Sequence, residues 1–214
     1  MAFTVHAVMP GVWHIVDCMG VCMTLLEGEN AAMLVDTGYG IEDVADFMRH
    51  MTDLPLTVFL THNHHDHAMG ARCFPETYML EADMADWGIF TNDEMRRRVL
   101  MQAIGKNLTV DEKTFLAGEI PLPKVMKPGV IDLGGLTAEI IEAPGHTPGS
   151  AVVYVPERKL LLSGDDWNPC TWLFFPQALG LREYRSNMRG IQQLPFEKVL
   201  CPHREALYDR WMFD

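Results

Sequence analysis

The sequence predicts an α+β chain in which two β-sheets pack face to face and helices cover them outside. Three observations predict it. Strand-like runs come in two blocks, helical segments fall between and after them, and the strands of each half end in loops that carry His or Asp. The 214 residues are 48% hydrophobic and 21% charged, which suits one globular domain spanning 1–214 and excludes a disordered chain.

In the first half, Thr4–Val8 and Val12–Val16 flank the turn Pro10-Gly11, and Val21–Glu27 follows. The turn 27–30 leads into Ala31–Val35, and Asp36-Thr37-Gly38-Tyr39-Gly40 reads as a loop. Ile41, Val44, Ala45, Phe47 and Met48 have helical spacing, so a helix is expected over Ile41–Met51. Thr57–Leu60 is a short apolar strand ending at Thr61-His62. A helical insertion at about 81–118, rich in Met and charge, interrupts the β pattern. Within it, Arg96-Arg97-Arg98 reads as a solvated helix face. The second half continues with a hairpin around Gly134-Gly135, the strand Thr137–Glu142 and the loop Ala143–Gly149. The strands Ala151–Val155 and Lys159–Leu162, a helix Glu183–Leu194, the strand Lys198–Leu200 and a closing helix Arg204–Trp211 complete the pattern.

Several function classes recede on composition. Lys and Arg total 17 against 29 Asp and Glu, a net charge of −12, which disfavours nucleic acid as a partner because few cations can displace counterions. No apolar run reaches the ~18 residues of a membrane span. The N-terminus lacks the basic-then-apolar layout of a secretory signal, so a cytoplasmic protein is expected. The five cysteines include no CxxC pair and are read as free thiols.

The chemistry is concentrated in Thr61-His62-Asn63-His64-His65-Asp66-His67. Imidazole nitrogen and carboxylate oxygen suit Zn, Fe and Mn, and alternate residues of an extended segment point the same way. His62 and His64 can therefore share one ion, with Asp66 and His67 turned toward a second. Further donors sit at other strand ends: His146 between two prolines, Asp165 in Ser163-Gly164-Asp165-Asp166, and His203 after Cys201-Pro202. His6, His14, His50 and His65 are read as structural. Trp167, Trp172, Phe174 and Phe175 follow Asp165, where they suit a pocket wall and ordinary core equally.

With these motifs, and Asp36 in Leu34-Val35-Asp36-Thr37-Gly38, the chain resembles the metallo-β-lactamase-fold metallohydrolase superfamily along essentially its whole length, glyoxalase II-like dinuclear enzymes included. The resemblance implies a four-layer αββα sandwich with the metals at one edge. It assigns His62, His64 and His146 to one ion, Asp66, His67 and His203 to the other, and Asp165 to both. Asp36 would orient the metal loop without binding metal. The cofactors implied are two divalent ions, zinc foremost, with iron or manganese as alternatives. The activity implied is attack of a metal-held hydroxide on a small ester, thioester or lactone, with Asp66 or Asp165 relaying the proton.

Departures from the family's branches narrow this. Asp165 is absent from true β-lactamases of the fold. The helical glutathione-binding domain of glyoxalase II has no counterpart after His203, nor has the RNA-binding arm of the tRNA-processing enzymes, although a phosphodiesterase stays an alternative. Lactonases keep a Tyr where this chain has Asn168. The rival of another class is a mononuclear iron persulfide dioxygenase-like oxidoreductase using His62, His146 and Asp165. The insertion suits a lid over the metals or the interface of a homodimer.

Overall fold

Residues 3–214 are described here from a computed structural model. The first sheet begins with β1 (Thr4–Met9), β2 (Val12–Val16), β3 (Cys22–Glu27) and β4 (Ala32–Val35), paired antiparallel in sequence order. Gly11 turns the first hairpin at a φ of 74°, and a Cβ there would stand 2.5 Å from the Glu27 carbonyl oxygen. Only glycine combines that backbone angle with that approach.

Helix α1 (Val44–Met51) then carries the chain over the sheet so that β5 (Leu56–Phe59) lies parallel to β4. It begins three residues later than the apolar spacing suggested. Asp43 caps it, accepting from the Asp46 N–H at 2.9 Å, and this leaves Ile41 outside the helix. Two short strands that the sequence pattern did not reveal, β6 (Tyr78–Met79) and β7 (Lys124–Val125), extend the sheet in parallel register.

Between β5 and β7 lie α2 (His65–Ala68), α3 (Trp87–Thr91), α4 (Asp93–Gly105) and α5 (Glu112–Phe115). Trp87, Val99, Leu100 and Phe115 from this insertion bury against Leu60, Met69 and Met79, so it has an apolar contact of its own with the metal-loop side of the sheet. Arg96 corrects the reading of its basic run. Only Arg97 and Arg98 face solvent, whereas Arg96 is fully buried and donates to the carbonyls of Gly118 (2.6 Å), Ala117 (3.2 Å) and Phe115. A buried guanidinium needs such acceptors, and here they are the carbonyl of the last residue of α5 and the open backbone just beyond it.

The second sheet is built from β8 (Gly129–Asp132), β9 (Thr137–Glu142), β10 (Ala151–Val155) and β11 (Leu160–Leu162), all antiparallel. Helix α6 (Leu181–Ile191) leads to β12 (Lys198–Leu200), which joins β11 in parallel. The closing helix expected over Arg204–Trp211 does not form. Tyr208–Asp209 is a short strand, β13, on the edge of β12, followed by one 3₁₀ turn at Arg210–Met212. Pairing of Tyr208 with Val199, and Arg210 donating to the carbonyls of Leu194 (2.7 Å) and Phe196 (3.1 Å), override the local helical spacing.

Alternation along individual strands produces four layers. On β4, Met33 and Val35 enter the space between the sheets, whereas Ala32 and Leu34 meet Val44, Ala45 and Met48 of α1. On β10, Ala151, Val153 and Val155 face the first sheet, and Val152 and Tyr154 meet Met188 and Ile191 of α6. Both central strands are therefore buried on both faces. Each fully buried aliphatic side chain contributes ~1.5–3 kcal/mol, so the αββα arrangement is the one in which these runs leave no apolar face wet.

Candidate metal centre

Every functional loop leaves the same edge of the sandwich. After β5, Thr61 is fixed by Asp36: its N–H donates to Oδ1 at 2.8 Å and its hydroxyl donates to Oδ2 at 2.9 Å. Asp36 adopts a left-handed φ of 64°, a cost of ~1–2 kcal/mol for an L-residue. The contacts of its carboxylate account for that strain, because it also accepts from His67 Nδ1 at 3.0 Å. The carboxylate thereby ties the start of the metal-type loop, at Thr61, to the His67 ring at its end. His64 sits at the N-cap of α2, and the helix brings the His67 ring back to within 4.2 Å of His62. The first strand-end loop is thereby folded around one point.

The rear nitrogens of three rings are held, and this sets their tautomers. His67 Nδ1 donates to Asp36. His146 Nδ1 donates to the Trp172 carbonyl at 2.8 Å. His62 Nδ1 lies 3.1 Å from Thr61 Oγ1, whose own proton goes to Asp36, so the histidine donates there too. Each ring consequently presents Nε2 to the shared interior. The Nε2 atoms of His62 and His67, and Oδ1 of Asp165, are buried yet have no hydrogen-bond partner among the described residues. His64 Nδ1 and His146 Nε2 stand 2.9 Å apart.

All seven residues singled out in the sequence converge. His62, His64 and His146 form one group, His62, His67 and Asp165 a second, and Asp66, His67 and His203 a third, the donor atoms of each lying within 4.8 Å of one another. Shared members tie the groups together, and Asp165 lies 3.5 Å from both His67 and His146 and 3.1 Å from His203. Orphaned nitrogens and carboxylate oxygens at such spacing fit divalent ions of the zinc, iron and manganese class.

Charge balance agrees. Burial, reinforced by neighbouring histidines, keeps His62 well below the usual imidazole range, and burial with His146 nearby takes His64 down to about 3. His67 goes the other way. Burial opposes its charge, but Asp165, Asp66 and Asp36 outweigh that and hold it protonated well above the usual range. Burial likewise opposes ionisation of Asp165, and His67 and His203 overcome it. Without metal, a proton on His67 supplies part of the positive charge these carboxylates require.

Residues not singled out in the sequence complete the surroundings. Asp83, in the 3₁₀ turn after β6, is buried and accepts from the Asn63 N–H (3.2 Å), the Thr147 hydroxyl (2.7 Å) and the Gly149 N–H (2.6 Å), joining the two histidine loops. Asp166 accepts from the His146 N–H at 2.9 Å. Phe90 of the insertion lies 4.5 Å from the His64 ring. No sequence signal distinguished Asp83 or Phe90, whereas Asp166 had one, its place beside Asp165.

The aromatic group after Asp165 divides. Trp167 is core, stacked on Phe213 at 5.4 Å. Phe175 lies 5.1 Å from His64, and Trp172 lies 5.6 Å from His203. Beside the centre a cavity of about 260 Å³ is lined by Tyr39, Asp66, Asn168, Trp172, His203 and Arg204. Of the remaining histidines, His50 ends α1, His6 pairs with Glu205 at 2.9 Å, and His14 is buried.

The family model described as the Metallo-beta-lactamase superfamily matches residues 16–203. The chain belongs to that superfamily. This metallo-β-lactamase-superfamily chain is 25% identical over 202 residues to "Acyl-coenzyme A thioesterase MBLAC2" of Gallus gallus, covering 84% of this chain and 70% of that protein. In fold it is similar to a metallo-beta-lactamase from Pontibacter korlensis, with a TM-score of 0.70 and 18% identity over 99% of this chain and 95% of that one. It is similar also to FIM-1 from Pseudomonas aeruginosa in its mono-zinc form, at 0.69 and 17%, over 100% and 92% of the two chains. A further structural relative, solved in a di-iron-bound form, matches at 0.62 and 22% over 90% and 91%.

Proposed function

We propose that this superfamily member is a hydrolase of small thioesters or esters that works with two divalent metal ions, zinc foremost. His62, His64 and His146 would hold one ion, Asp66, His67 and His203 the other, and Asp165 would contact both. The observation that carries the reading is the buried convergence of partnerless Nε2 atoms and an Asp165 oxygen in overlapping donor groups. When bound, such ions acidify water and polarise a carbonyl oxygen.

The chain's own residues do the rest. Asp36, Thr61 and the Trp172 carbonyl keep the ring nitrogens aimed inward. Phe90 and Phe175 cover His64 and exclude water from that side. Asp66 is the carboxylate of the centre that also lines the cavity, which suits it to carry a proton to the leaving group. A thioester is favoured over a lactone by the name of the Gallus gallus relative, and a 260 Å³ cavity suits a small reacting group.

The test is elemental analysis of purified protein, followed by a panel of thioester, ester, lactone and phosphodiester substrates. Two metals per chain with oxygen-independent thioester cleavage are expected, and Asp165→Asn should abolish turnover while the protein stays folded. One iron per chain with oxygen uptake on a persulfide would replace the reading with the dioxygenase alternative.

A further inference from the structure

The cavity beside the centre has apolar walls at Trp172 and Val21, but its rim carries positive charge in a chain whose net charge is −12. Arg204, immediately after His203, lines it. The base of Arg204 is held firmly. Its carbonyl accepts from Nε2 of the buried His14 at 3.1 Å, the His14 Nδ1 accepts from the Thr24 hydroxyl at 3.0 Å, and the Cys22 N–H donates to the Pro202 carbonyl at 2.7 Å. The 202–204 segment is thus clamped to the first sheet, and the guanidinium is anchored by donating to the His203 carbonyl at 2.7 Å.

A second cation is tied to the cavity wall through Met19. Lys106, just beyond the end of α4, donates to the carbonyl of Met19, a residue that lines the cavity, at 2.8 Å. Among the described residues neither Arg204 nor Lys106 forms an ion pair with a carboxylate. Of the acids nearby, Asp66 also lines the cavity but is turned to His67 and His203 of the metal centre, each 3.7 Å away, and the others are engaged elsewhere. Glu205 turns away to His6, and Asp17 is occupied by the N–H groups of Met19, Gly20, Val21 and Tyr39.

Two unpaired cations at the mouth of a cleft, on an otherwise acidic protein, select for negative charge on whatever enters. We infer that Arg204 and Lys106 form a subsite for an anionic group, a carboxylate or phosphate, carried on the part of the substrate remote from the scissile bond. The inference rests on the hydrolase reading for the word substrate, but not for the binding it foresees. The apolar wall takes an acyl or alkyl portion, the metal centre faces the reacting carbonyl, and the two cations fix the charged end.

Binding without turnover tests it. Two uncleavable thioethers with the same hexyl chain, one ending in a phosphate monoester and the other in a hydroxyl, are titrated calorimetrically into metal-loaded protein. The wild-type protein should bind the phosphate form at least about ten-fold more tightly, and the ratio should fall toward one in Arg204→Gln/Lys106→Gln and at high salt. Because only side chains beyond the backbone clamp change, the melting temperature should stay close to that of the wild type. The single variant Lys106→Gln, which takes part in none of the clamp's hydrogen bonds, provides a second measurement and should lower the ratio on its own. Equal affinities in the wild-type protein, or a preference that survives both substitutions, would overturn the subsite. A phosphate preference in a protein that cleaves no ester would remove the hydrolase reading and leave the subsite standing. Thioester cleavage with no such preference would do the reverse.

Discussion

Asp83 offers the sharpest test of how the centre is held, because it touches none of the seven converging residues. Its carboxylate joins Asn63, which lies between His62 and His64, to Thr147 and Gly149, which follow His146. Asp83→Asn preserves the shape but turns one oxygen into a donor. That donor must then face the Gly149 N–H, 2.6 Å from Oδ1, or the Thr147 and Asn63 donors on Oδ2. Loss of a charge-assisted bond with a donor left unsatisfied costs about 2–4 kcal/mol. Burial raises the Asp83 carboxyl above its ordinary range despite these contacts, so neutralising it recovers part of that cost. The net expectation is a loss of about 2 kcal/mol, or ~4–8 °C in melting temperature for a chain of this size. Zinc affinity should fall by about 10–100-fold, the usual effect of disturbing groups that position ligands. Differential scanning calorimetry of metal-free protein and competition with a chromogenic chelator measure the two effects. A variant that melts like the wild type and binds zinc equally well would refute the claim that this carboxylate holds the loops in place.

Other substitutions separate the remaining contributions. Asp36→Gly should relieve the left-handed strain, about 1–2 kcal/mol, yet lose the acceptors for Thr61 and His67; a chelator titration should show weaker zinc binding, and unchanged affinity would remove Asp36 from the orienting role. His14 is kept neutral by burial, below its ordinary value of 6.5, so the unfolded chain takes up a proton there that the native one does not. Stability therefore declines as pH falls below 6.5, and urea titrations of His14→Gln should show a slope against pH shallower by up to about 1.4 kcal/mol per unit. An identical slope would contradict that assignment. Phe59→Ala, at a fully buried site between the sheets, should cost about 3–5 kcal/mol in urea unfolding; a loss under 1 kcal/mol would mean the inter-sheet space collapses far more readily than close packing allows.

Much of this arrangement was legible in the residues because its causes are local. Val12–Val16, Thr137–Glu142, Ala151–Val155 and Lys198–Leu200 fall where alternation and turns place them. The seven metal-type residues announced themselves by donor chemistry at strand ends. What escaped was set by distant partners. Two-residue strands such as Tyr78–Met79 and Lys124–Val125 have no period to detect and exist because an edge accepts them. The terminal segment has helical spacing but follows the edge of β12. Arg96 looks like its neighbours in sequence and differs only in the carbonyls that α5 brings to it. Asp83 is one acid among many until the fold sets Thr147 and Gly149 against it.

The hydrogen bond from His146 to the Trp172 carbonyl has a consequence for how this protein can diversify. A main-chain oxygen does the aligning, so the identity of the side chain at position 172 is free of that duty. The same short stretch lends Trp172 and Phe175 to the surroundings of the histidines. Replacements there can reshape what the cleft admits while the imidazole keeps its orientation, provided the backbone keeps its course. Insertions or deletions in the stretch carry no such licence, because they would displace the carbonyl. Relatives that differ here by substitution should therefore differ in preference, and those that differ in length should differ in metal retention.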